Sequence, residues 1–88
     1  MAEKDYHAVV TDLIANAIKT SKVTGENGRI TRLVAGSIGR FAAELRSSDQ
    51  ADEARALIEH ARELLDAGDG AEIVPSLTAA VAALEGTA

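Results

Sequence analysis

Two histidines and one cluster of basic residues are the groups in this chain whose types and spacing could do chemistry. His60 lies beside Glu59 and one turn before Glu63, so a His–Glu pair on one helical face could touch a metal. A di-iron helical bundle needs several more inward carboxylates and a second histidine at the matching spacing. Those are missing, and His7 stands alone near the start of the chain. Both histidines are therefore expected on the surface, with no metal and no cofactor. There is no cysteine, which removes disulfides, thiolate catalysis and thiolate zinc sites together. No Ser–His–Asp or paired-carboxylate arrangement can be argued for. Ser37, Ser47 and Ser48 are accounted for by packing and capping. The expectation is a protein that is not an enzyme.

The basic cluster is the best anion-site candidate. Residues 19–46 carry a formal charge of about +4, while residues 1–18 carry about −2 and residues 47–88 about −7, for a net charge of −5. Lys22, Arg29, Arg32 and Arg40 form the candidate anion or nucleic-acid patch. A loop containing Gly25 and Gly28 precedes a helix N-terminus, whose free N–H groups favour negative charge. Glu26 sits inside that loop, however, and no Walker or dinucleotide pattern is present. An acidic third helix would be repelled by a duplex, so the second helix would have to be the reader.

The elements that must carry these groups follow from apolar periodicity. The spacing predicts an all-α fold, a compact bundle of about four helices over roughly residues 4–20, 29–46, 48–67 and 73–85, with short loops, in a single domain over residues 1–88. Tyr6, Val9, Val10, Leu13, Ile14, Ala17 and Ile18 make the first stripe, with Asp5 as a start signal. A hairpin of 22–24 against 29–31 is conceivable but marginal, because two isolated strands are barely stable. Ile30, Leu33, Val34, Ile38, Phe41, Ala42 and Leu45 make the second stripe. Ser47 and Gln50 stand at capping-box spacing before the third, which is Ala54, Leu57, Ile58, Ala61, Leu64 and Leu65. Gly68 is expected to end that helix in the left-handed conformation. Asp69 and Glu72 repeat the capping-box spacing, and Pro75 suits the first turn of the fourth helix.

With Tyr6 and Phe41 the only aromatic residues and 47% of the chain apolar, the core must be aliphatic. No run of 18 apolar residues exists to span a membrane, and the charged opening Met1–Asp5 lacks the apolar stretch of a signal peptide. With no cysteine staples, this points to a cytoplasmic protein.

Three features remain for function. The fourth helix is uncharged from Pro75 to Leu84, and Leu77, Thr78, Val81, Ala82 and Leu84 are its candidate protein interface. Asp52, Glu59, Glu63 and Asp66 give the third helix a candidate acidic docking face, with Arg55–Glu59 and Arg62–Asp66 four apart and able to pair. Gly36 and Gly39 lie inside the second helix, where close packing by another helix of the same chain would offset their cost. Together these imply a small non-catalytic helical module for protein–protein interaction, an adaptor, regulator or inhibitor, self-associating as a homodimer. The alternative is a nucleic-acid-binding regulator using residues 19–46.

Overall fold

The computed structural model describes residues 5–68 and 70–85, and among them the fold is all-α. The helices are α1 (Tyr6–Thr24), α2 (Asn27–Ser47), α3 (Ala51–Asp66) and α4 (Val74–Glu85). Asp5 caps α1 as expected, its Oδ1 accepting from the Ala8 N–H at 3.2 Å.

The first connection is shorter than the sequence suggests. Helix α1 continues through Lys22, Val23 and Thr24, and the left-handed residue that stops it is Gly25, with φ 71° and its N–H bonded to the Ser21 carbonyl at 2.9 Å. Ser21 is the buried polar residue here, and its hydroxyl donates to Asn27 Oδ1 at the start of α2. Thr24 Oγ1 donates to the Thr20 carbonyl and accepts from the Glu26 N–H, both at 3.2 Å, which closes the turn. Both arms of the conceivable hairpin are helical.

Two caps also differ from expectation. Helix α3 starts at Ala51, and Gln50 makes no side-chain capping bond. The end of α2 is closed by backbone bonds instead, including Gln50 N–H to Leu45 O at 2.8 Å, with Asp49 left-handed at φ 65°. The Gln50 N–H that a Ser47 cap would have satisfied is therefore already bonded. At the end of α3 the cap is Ala67, and the left-handed glycine in that loop is Gly70, not Gly68. Gly68 is required for space: a Cβ there would lie 2.9 Å from the Leu65 carbonyl oxygen. The repeated capping box involves Asp69, which lies outside the described residues. Pro75 falls in the first turn of α4.

Helices α2 and α3 form the central pair. Each packs on the other and on both flanking helices, while α1 and α4 scarcely touch. The result is a slab of 38 × 30 × 22 Å, two helix diameters thick. Its core is aliphatic, with Val10, Ile38, Ala54, Leu57, Ala61, Ile73, Leu77 and Val81 completely buried. The one aromatic pair, Tyr6 and Phe41 with centroids 4.9 Å apart, sits at the α1–α2 edge.

Candidate interaction surfaces

The α4 interface drawn from the sequence must be redrawn. Leu77 and Val81 are fully buried, since they are the stripe this helix gives to its own core. Thr78 is half-buried and its hydroxyl donates to the Val74 carbonyl at 2.8 Å. Leu84 is half-buried against the core and reaches the backbone of α2, where a Cβ on Gly39 would lie 3.3 Å from its Cδ2. Of the five candidate residues only Ala82 is exposed. The solvent face of α4 is Pro75, Ser76, Ala79, Ala82 and Ala83, small and uncharged throughout. Gly39 thus has the close packing expected of it, whereas Gly36 is exposed with nothing within 4 Å of a would-be Cβ.

Asp52, Glu59, Glu63 and Asp66 are all exposed along one side of α3. The expected four-apart ion pairs are replaced. Arg55 approaches Asp52 at 3.9 Å, three residues back, and Arg62 leaves the acidic side to reach Glu85 of α4 at 3.0 Å. The second pair is only about a third to two-fifths exposed and ties α4 to α3.

All four basic candidates are exposed, three of them on one helix. Arg29, Arg32 and Arg40 are exposed on α2, on the side opposite its buried Val34, Ile38 and Ala42. Lys22 lies in the last turn of α1, just before the turn that leads into α2. At the N-terminus of α2 the N-cap residue is Glu26, whose side chain makes no capping bond and whose carboxylate is 3.9 Å from Arg29. Its negative charge beside that helix end disfavours phosphate there.

One arrangement was invisible in the sequence. His7 and His60, from α1 and α3, pack ring to ring with centroids 4.8 Å apart and planes tilted by 45°. Thr11 links them: its hydroxyl donates to the His7 carbonyl at 2.8 Å and lies 2.9 Å from His60 Nε2. The single hydroxyl proton is committed to the carbonyl, so Nε2 of His60 must donate. Both rings are half-buried, not simply surface residues. The i, i+4 spacing of His7 and Thr11 was available beforehand, but not the adjacency of α1 and α3. Among the described residues no group of three or more potential metal ligands is found.

Across the α1–α2 edge, the Tyr6 hydroxyl donates to Glu44. That bond, with some desolvation and the carboxylate charge, raises the Tyr6 pKa above 10.0. Below it, an apolar groove of about 220 Å³ runs between α1 and α2, lined by Leu13, Ile30 and Leu33 among others. Leu33 is 62% exposed at its rim. A larger cavity of about 420 Å³ opens where α2 ends, between Arg46, Ala51, Arg55, Ile58, Glu59 and Glu85. Its lining mixes two cations with two carboxylates over an apolar floor.

No protein-family model matches the chain, and comparison with curated proteins and with solved structures finds no significant match. Among the described residues no helix is long and apolar enough to cross a membrane.

Proposed function

We propose that this chain is a non-catalytic helical protein–protein interaction module of the cytoplasm that self-associates as a homodimer. The observation that carries it is the solvent face of α4. In a chain that is 26% charged, Pro75, Ser76, Ala79, Ala82 and Ala83 are exposed without a charge among them. Small side chains let two helices approach closely. Leu77 and Val81 support this face from beneath and take no part in the contact. A cytoplasmic setting is supported by the cysteine-free composition.

The test is solution molar mass against concentration. Wild-type chain is expected to shift from monomer to dimer. Ala79→Glu with Ala83→Glu is expected to hold it monomeric while leaving helicity unchanged, since both positions are exposed. A monomer at every concentration removes the homodimer.

A nucleic-acid-binding regulator is the second candidate. Arg29, Arg32 and Arg40 on one exposed face of α2 favour it. It predicts retention of DNA or RNA that weakens steeply with salt and is lost in Arg29→Ala/Arg32→Ala.

A further inference from the structure

We propose that the exposed basic face of α2 docks on the exposed acidic face of α3 in a second copy of this chain, in a head-to-tail contact. This rests on the interaction-module proposal but uses a different surface from α4, and the two can fail separately.

The faces match in sign and in spacing. Arg29 and Arg40 are eleven residues apart, which is three helical turns and about 16 Å. Asp52 and Glu63 have the same separation. All four side chains lie on exposed positions. Two helices laid side by side can therefore bring both outer charge pairs together, whether they run parallel or antiparallel. Their intrachain partners hold them weakly. Arg29–Glu26 and Arg55–Asp52 are each 3.9 Å long, with both ends largely exposed.

Gly36 supplies an independent reason. A glycine inside a helix is unfavourable unless something needs the missing side chain. Leu84 accounts for Gly39. Among the described residues nothing accounts for Gly36, which is exposed two turns after Arg29 and one turn before Arg40, with open space where a Cβ would be. On α3 the exposed Ala56 lies between Asp52 and Glu63. An antiparallel α3 that sets Glu63 on Arg29 and Asp52 on Arg40 would bring Ala56 against the bare backbone at Gly36, with charge at both ends.

A second copy fits this face better than a polyanion does. The net charge of −5 opposes nucleic acid as a whole, while the chain itself carries the complementary face. Geometry then sets the kind of assembly. Helices α2 and α3 are the central pair of the slab and turn their solvent faces in opposite directions. An α2–α3 contact therefore cannot close on itself in a two-fold dimer. It links copies in series, as a ring or an open chain.

The experiment is sedimentation velocity on the full chain at about 0.1 M and about 1 M salt, where the screening length falls from about 10 to about 3 Å. Association is expected at the lower salt, with dissociation toward single chains at the higher. Arg29→Glu/Arg40→Glu and Asp52→Lys/Glu63→Lys should each weaken self-association at least about tenfold. An equimolar mixture of the two variants should associate again, because one then presents an acidic α2 and the other a basic α3. Gly36→Leu, which favours the helix but fills the notch, should also weaken association. Salt-insensitive association, a monomer at 0.1 M, or a mixture that stays dissociated overturns the proposal. So does a monomer that retains short duplex DNA or RNA through Arg29, Arg32 and Arg40. If Ala79→Glu/Ala83→Glu abolishes association and charge reversal does not, the α4 contact stands and this one falls.

Discussion

At the scale of single residues, the glycines separate space from conformation. Gly36 adopts helical backbone with open space around it, so Gly36→Ala gains helix propensity without a clash. It should raise stability by about 1 kcal/mol, read from urea unfolding at high salt. Gly68→Ala should do the opposite, because its Cβ would press on the backbone carbonyl of Leu65 at 2.9 Å and neither atom is the end of a flexible side chain. Equal effects of the two substitutions would contradict this. Tyr6 gives the pH-dependent case. Its hydroxyl donates to Glu44, so the fold favours the protonated phenol and raises its pKa above 10.0. The stabilisation is fully present below the ordinary tyrosine range. It is lost as pH rises through the raised value. Melting temperature should fall along this alkaline limb in the wild type, and Tyr6→Phe should flatten that part of the fall. A limb of the same steepness in the phenylalanine variant would show that the bond contributes nothing.

At the scale of elements, stripes were legible and stops less so. All four helices stand where the apolar periodicity put them, because a one-sided stripe has no other way to be buried in a domain this small. Their ends moved by a few residues wherever one local signal competed with another. The first helix was expected to stop near residue 20, but Ser21 is buried and bonded to Asn27, and α1 runs on to Thr24. The Ser47–Gln50 spacing looked like a capping box, but backbone bonds around Asp49 closed that turn first. Asp49 is there a non-glycine residue at φ 65°, a conformation that costs an L-residue energy and glycine almost none. Asp49→Gly should therefore stabilise the α2–α3 turn by about 0.5–1 kcal/mol, after allowance for the greater freedom of glycine in the unfolded chain. Thermal unfolding of the two proteins decides it, and a lower midpoint for the glycine variant would mean the Asp49 carboxylate is needed.

At the scale of the whole molecule, the sequence left open which helices are neighbours, and most of what it missed follows from that. The His7–Thr11–His60 contact needs α1 beside α3, and Arg62–Glu85 needs α4 beside α3. The uncharged stretch from Pro75 to Leu84 misled for the same reason. Leu77 and Val81 seemed spare for a partner until α2 and α3 were seen to enclose them. This layout also predicts where the chain is most fragile. Leu57 lies on the central α3, is fully buried, and belongs to an aliphatic core with almost no aromatic bulk. A leucine-to-alanine change at such a site costs about 2–5 kcal/mol. Total stability for a chain of 88 residues is of order 5 kcal/mol. Leu57→Ala should therefore leave the isolated chain largely unfolded by far-ultraviolet circular dichroism at low concentration. The proposed self-association would stabilise only the folded form, and on that proposal helicity should return as protein concentration rises. A variant whose helicity is low and independent of concentration would separate folding from self-association. One that stays fully helical at every concentration would place the chain's stability elsewhere than in the α2–α3 pair.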